Sequence, residues 1–269
     1  MSHLVTSAGV RLRLSDSGEG PSTIVLVHGW KQSHRLWDET IASLSDRHRL
    51  VAYDLRGMGE SDKPPRARYD FDEHADDLAA VIGGLELGDV TLVGWSMGCS
   101  VSLQYLCRHQ ASGVARLVMI NGPVRLTNTR GFEHGMPAAV VDGVLEDLAA
   151  HWPTRERAFV AASIRDPHPD QIEWLFQIAL QTPLDVALRA VRNQLDLDHR
   201  EAIRTLAVPV LAAYGRTDPY YPVALAGWIA ANAPRGEQLI FEQSAHCIPF
   251  EEGARFRDEL EAFIARHPA

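Results

Sequence analysis

A serine hydroxyl is a poor nucleophile until a base takes its proton, so the residues to seek first are a serine in an unusual turn, a histidine and a carboxylate. The stretch Gly94-Trp95-Ser96-Met97-Gly98 supplies the serine. G-x-S-x-G arises by chance in roughly one such sequence in twelve, so its setting carries the argument. It follows the apolar run Val90 to Val93 directly and opens the helical pattern Cys99 to His109. A strand, a tight turn and a helix in that order lift a serine onto a strained elbow. The flanking glycines fit because the strand and helix backbones pass too closely there for side chains.

The partners lie far along the chain. Asp218 stands in Gly215-Arg216-Thr217-Asp218-Pro219, just after the apolar run Val208 to Tyr214, where a turn can hold a carboxylate at a strand's C-terminal end. His246 stands in Ser244-Ala245-His246-Cys247-Ile248-Pro249, past the last apolar run and before a closing helical pattern. The order nucleophile, acid, base is one of the few in which this constellation recurs. For the negative charge that develops during acyl transfer, His28-Gly29-Trp30 ends the run Ile24 to Val27. The backbone N–H of Trp30 can there converge with that of Met97 on one substrate oxygen. Trp30, Trp95, Trp152, Trp174 and Ile248 are expected to line an apolar substrate pocket. Cys247 invites a thiol role, but lone cysteines are usually small buried apolar residues, and none is assigned to it.

These residues need a frame. Ile24–Val27, Leu50–Tyr53, Val90–Val93, Leu117–Ile120, Val208–Tyr214 and Leu239–Phe241 are nearly continuous in apolar residues, as strands covered on both faces of a parallel sheet should be. Phe71, Ala75, Leu78, Ile82 and Leu85 recur at helical spacing, and Asp70 with Glu73 predicts a capping-box start. Residues 3–15 read as an antiparallel hairpin about Gly9. From Gly122 to Arg204 no strand is evident, and prolines punctuate helical patterns. The expected organisation is an α/β core of residues 1–121 and 205–269, with a helical cap of residues 122–204 over the ligand crevice.

Composition bounds the partners. The 269 residues are 46% hydrophobic and 23% charged, as in ordinary globular proteins, and the net charge of −9 offers no basic surface for nucleic acid. No run is long and apolar enough to cross a bilayer, and the first residues lack the apolar region of a signal peptide, so the chain is expected to start at or near Met1. Cys99, Cys107 and Cys247 have neither disulfide-framework nor zinc-knuckle spacing, which suits a reducing cytoplasm. The expected partner is a small-molecule substrate, with no cofactor, metal or membrane; the sequence leaves the oligomeric state open.

Together, His28-Gly29-Trp30, the block Asp54-Leu55-Arg56-Gly57-Met58-Gly59-Glu60-Ser61, the elbow, the Asp218 turn and the segment from His246 to Glu251 make the chain resemble the α/β-hydrolase superfamily over essentially its whole length. It looks most like the small, cofactor-free haloperoxidase/esterase group. The resemblance implies a mostly parallel sheet flanked by helices, a triad of Ser96, Asp218 and His246, and Trp30 and Met97 amides as oxyanion donors. It also implies that His28 organises its loop and that Asp54, Arg56 and Ser61 brace theirs. Departures narrow the chemistry. Lys31 stands where perhydrolases of the group usually have Pro, and Ser96 stands where dehalogenases and epoxide hydrolases have Asp. Lys31-Gln32 and Trp95 do not match carbon–carbon hydrolases, and Met97 departs from the His of cofactor-free dioxygenases. Hydrolysis of an ester, lactone or thioester remains the first expectation. The alternatives are a perhydrolase or haloperoxidase, a carbon–carbon bond hydrolase, and a small-molecule receptor with slow turnover.

Overall fold

The apolar runs become strands because each presents side chains to both faces of one sheet. In the computed structural model, which describes residues 3–269, the strands are β1 (His3–Val5), β2 (Arg11–Ser17), β3 (Thr23–Val27), β4 (Arg49–Tyr53), β5 (Val90–Trp95), β6 (Val114–Ile120), β7 (Val210–Gly215) and β8 (Gly236–Phe241). Met1, the expected start, lies outside the described residues. They form one sheet in the order β1-β2-β4-β3-β5-β6-β7-β8. The β1–β2 hairpin is antiparallel and joins β4 antiparallel; every pair from β4 to β8 is parallel. The helices are α1 (Asp38–Leu44), α2 (Phe71–Gly84), α3 (Met97–Arg108), α4 (Ala138–His151), α5 (Thr154–Ala162), α6 (Pro169–Ala179), α7 (Leu184–Gln194), α8 (Arg200–Arg204), α9 (Ala224–Asn232), α10 (Ile248–Glu251) and α11 (Gly253–Arg266). This is the α/β-hydrolase architecture that the motifs imply.

Alternation along each strand builds two cores. Val25, Val27 and Leu92 pack with α2, α3 and α9 on one face, while Ile24, Leu26 and Val93 pack with α1 and α11 on the other. The strands β3, β5 and β7 are buried throughout, whereas β8, an edge strand carrying Glu237 and Gln238, is only partly covered. Helix α2 begins as its sequence predicts, with the Asp70 side chain accepting from the Glu73 N–H at 2.9 Å. The Glu73 carboxylate reaches back one residue beyond the cap, to the Tyr69 N–H at 2.8 Å. Helices α4 to α8 occupy the stretch between β6 and β7, and Val141 and Leu145 join the first core while Val160 and Leu175 join the second. The insertion is therefore continuous with both cores.

Two buried histidines make the fold acid-sensitive. His28 accepts from the Leu55 N–H at Nε2 and lies 2.8 Å from the Gly29 carbonyl at Nδ1, which assigns its proton to Nδ1. Burial lowers its pKa to about 4, and burial lowers that of His74 to about 3. Both are neutral in the folded chain, whereas in the unfolded chain they take up protons near 6.5. Their contribution is present above pH 6.5 and is lost as pH falls through that value toward 4 and 3, at about 1.4 kcal/mol per pKa unit. Urea unfolding at pH 7, 5.5 and 4 is expected to show a loss of several kcal/mol. His74→Leu should flatten the decline, and an equally steep decline in that variant would remove His74 from the account.

Candidate active site

The elbow sits between β5 and α3, and its backbone is strained as the sequence predicts. Ser96 has φ 55° and ψ −121°, a region that costs a non-glycine residue about 1–3 kcal/mol. Close approach explains the glycines on either side. A Cβ on Gly98 would lie 2.3 Å from the Val27 carbonyl oxygen, and one on Gly94 would lie 2.6 Å from that of Gly98. A side chain at Gly98 would push the elbow away from β3, and one at Gly94 would push α3 away from β5. Ser96 also caps α3, so its hydroxyl stands at the positive end of the helix.

Two returning loops bring the partners to it. His246 Nε2 lies 3.0 Å from Ser96 Oγ, and His246 Nδ1 lies 2.9 Å from Asp218 Oδ2. The Asp218 side chain is fully buried, and its other oxygen accepts from the backbone N–H groups of Tyr220 at 2.8 Å and Tyr221 at 3.3 Å. The carboxylate is thus held by the turn that carries it. Tyr220 stands edge-on to the imidazole, with ring centroids 4.9 Å apart, and Trp95 lies against it at 5.2 Å. Trp30 and Met97 border the same cavity as Ser96. As the first residue of α3, Met97 has an N–H with no acceptor inside the helix.

Sequence reading missed the residues that hold the loops together. Asn121, fully buried at the end of β6 with φ 43°, donates from Nδ2 to the carbonyls of Ala245 and His246, both at 2.9 Å. Its Oδ1 accepts from the Gly215 N–H at 2.8 Å, so one amide joins the ends of β6 and β7 to the histidine loop. Glu251 accepts from the N–H groups of Ala245, Cys247 and Arg165, tying that loop to the insertion; burial raises its carboxyl pKa, against those bonds. A lone Asn after an apolar run carries no motif that would have revealed this.

The loop that carries Trp30 is clamped to the insertion. Lys31 adopts φ 57°, a conformation closed to proline, whose ring fixes φ near −65°. A proline at this position would require a different backbone course. The Lys31 ammonium, 1% exposed, contacts Glu156 of α5 at 2.5 Å and stands 3.7 Å from the Trp30 ring centroid and 4.2 Å from that of Phe159. Burial lowers the Lys31 pKa to about 8, partly offset by Glu156. Trp30 Nε1 donates to the Ala187 carbonyl of α7 at 2.9 Å.

The cavity at Ser96 has a volume of about 90 Å³ and a mostly apolar wall. Trp30 and Trp95 line it; Trp152, Trp174 and Ile248 do not. On α6, Leu175 faces the cavity, and its neighbour Trp174, about 100° around the helix, packs edge-on against Phe250 at 5.3 Å instead. Ile248 is fully buried in the second core beneath the histidine loop. Trp152 ends α4, half-buried, before Pro153. The apolar part of the wall contributed by the insertion's helices includes Val141, Val144, Phe159, Val160, Leu175 and Val191.

Other expected residues occupy structural positions. Asp54 accepts from the backbone N–H groups of His34 and Glu60 and lies 2.7 Å from His34 Nδ1; burial raises its carboxyl pKa, but His34 brings it below the ordinary value. Arg56 makes two 2.6 Å bonds to Asp77, and Ser61 donates to the Asp54 carbonyl. Cys247 is buried, and burial pushes its thiol pKa up, away from thiolate chemistry. Among the described residues no cluster could hold a metal ion, and no helix is long and apolar enough to cross a membrane.

A model of the alpha/beta hydrolase fold matches residues 22–253, and the chain belongs to that family. Over 260 residues it is 30% identical to the pimeloyl-(acyl-carrier protein) methyl ester esterase of Vibrio atlanticus, covering 93% of this chain and 96% of the relative. It is 28% identical over 271 residues to the non-heme chloroperoxidase CPO-A1 of Kitasatospora aureofaciens, covering 96% and 98%. The solved structure of the esterase EaEST from Exiguobacterium antarcticum superposes with a TM-score of 0.93 at 25% identity, covering 98% and 99%.

Proposed function

We propose that the protein is a serine hydrolase that cleaves a carboxylic ester, lactone or thioester of a small apolar or aromatic substrate through an acyl-enzyme on Ser96. The observation that carries this reading is the chain of contacts from Ser96 through His246 to Asp218, opening onto an apolar cavity. Esterase relatives of matching length support it.

The steps follow from the geometry. Nε2 of His246 takes the Ser96 proton as the oxygen bonds to the acyl carbon, and Asp218 fixes the imidazole tautomer and stabilises the cation that forms. The N–H groups of Trp30 and Met97 hold the oxyanion, each such donor being worth about 3 kcal/mol of barrier. The imidazolium then protonates the leaving alkoxide, and the bond to it breaks. Water enters, gives a proton to His246 and its oxygen to the acyl carbon, and the acid leaves as Ser96 regains its proton. A net charge of −9 disfavours the approach of anions, which favours neutral substrates.

The test is hydrolysis of p-nitrophenyl esters of rising acyl length, followed through both the burst and the steady state. Repeated turnover with a maximum at short acyl groups is expected. A stoichiometric burst that stalls would instead point to a receptor that acylates once, and absence of any release would overturn the hydrolase reading.

A further inference from the structure

The cavity wall is apolar apart from a few groups, and most of those already have partners. Gln194 donates to Ser100 Oγ at 2.9 Å, and Ser163 Oγ donates to the Phe159 carbonyl at 2.9 Å and meets the Tyr220 hydroxyl at 3.0 Å. Gln32 differs. It is 6% exposed and lines the cavity, and its Oε1 is buried without a hydrogen-bond partner among the described residues. Its backbone N–H is engaged, turning back to the Gly29 carbonyl at 3.3 Å, so the loop that carries Trp30 also fixes the glutamine. A buried amide oxygen left unpaired is costly, and native structures that keep one usually have a use for it.

We propose that Gln32 is a specificity-determining residue whose carboxamide hydrogen-bonds a hydroxyl on the acyl part of the substrate, making hydroxy esters and their lactones the preferred substrates. This rests on the hydrolase reading above and names its substrate class. The unpaired atom is an acceptor, so the substrate must bring a donor. A hydroxyl also accepts, and so pairs with the amide whichever of its two ends faces the cavity. A carboxylate or phosphate substituent fits poorly, because no Lys or Arg is among the residues lining the wall and the adjacent Lys31 is held by Glu156. A plain alkyl ester leaves the amide as it stands, unpaired.

The experiment compares kcat/KM for ethyl butyrate with that for ethyl 2-hydroxybutyrate and ethyl 3-hydroxybutyrate, in wild type and in Gln32→Met, a side chain of similar length without polar ends. Wild type is expected to prefer one hydroxy ester about tenfold or more, as the net gain of a single hydrogen bond to an otherwise unpaired buried group would give. In Gln32→Met that ratio should fall to about one or below. The thermal midpoint of the variant should equal or exceed that of wild type, because no protein hydrogen bond is lost; a structural glutamine would lower it. Gln32→Leu repeats the ratio in a second apolar form. Wild type that turns over all three esters alike, or a preference unchanged in both variants, overturns the role of Gln32 while leaving the hydrolase intact. Wild type that hydrolyses none of them while still releasing p-nitrophenol from its esters overturns the role of Gln32 alone; release from neither set removes both readings.

Discussion

Ser96→Ala is expected to lower kcat for p-nitrophenyl ester hydrolysis by about 10⁴- to 10⁶-fold, the range seen when a triad serine is removed. The loss is large because, in the proposed mechanism, the hydroxyl is the atom that bonds to substrate, and nothing near it can take over: Cys99 is turned inward to the Gly94 carbonyl, and Cys247 is a buried thiol whose pKa burial raises. Alanine tolerates the elbow no better and no worse than serine, so the thermal midpoint should hardly move. His246→Ala should cost a similar factor, and the double variant little more, because the groups act as one unit. Asp218 is the more structural member, since its second oxygen closes the turn onto Tyr220 and Tyr221; Asp218→Ala should lower both kcat and stability. Single-turnover and steady-state rates check all four, and residual turnover within tenfold of wild type in Ser96→Ala would sink the mechanism.

The other large effect is on stability. Lys31→Ala and Glu156→Ala should each cost about 3–5 kcal/mol in urea unfolding, because each strands one charge in a place where both side chains are 1% exposed. The pair itself is not a strong source of stability, as two ions are stripped of water to form it. The replacement Lys31→Met with Glu156→Leu is therefore expected to recover most of the loss. Glu156 Oε1 has no partner among the described residues, which makes the apolar pair more favourable still. Turnover should report separately, since Lys31 presses on the Trp30 ring and Trp30 is the proposed oxyanion donor. A double variant that is stable but slow would show the clamp setting the loop; single variants costing under about 1 kcal/mol would show the pair to be wet and weak.

Much of this arrangement was legible in the sequence because it rests on short-range rules. Apolar runs covered on both faces located six of the strands, Asp70 and Glu73 located the start of α2, and the glycines around Ser96 marked a backbone contact that the structure measures directly. The meeting of Ser96, His246 and Asp218 could be read because each stands just after a strand, where a parallel sheet gathers its loops at one edge. The cavity wall was not legible. Whether Trp174 or Leu175 faces the cavity depends on the rotation of α6 against α10, a long-range packing outcome with no local signal. Asn121 and Glu251 escaped for a related reason: a single amide or carboxylate that bridges three segments looks, along the chain, like any other polar residue. The capture of Lys31 by Glu156 joins positions 125 residues apart, and only the fold brings them together.

The division of the cavity wall has an evolutionary corollary. Ser96, Asp218, His246 and the loops that carry them all belong to the sheet and its edge, whereas Val141, Val144, Leu175 and Val191 come from helices between β6 and β7. Drift in those helices can reshape what is admitted while the bond-breaking apparatus stays unchanged, so descendants of one ancestor can diverge in diet without reinventing their chemistry. Gln32 lies on the sheet side of that divide, next to the loop that carries Trp30 but outside Ser96, Asp218 and His246, which makes it a position where a single codon change could retune preference without any remodelling of the helices above it.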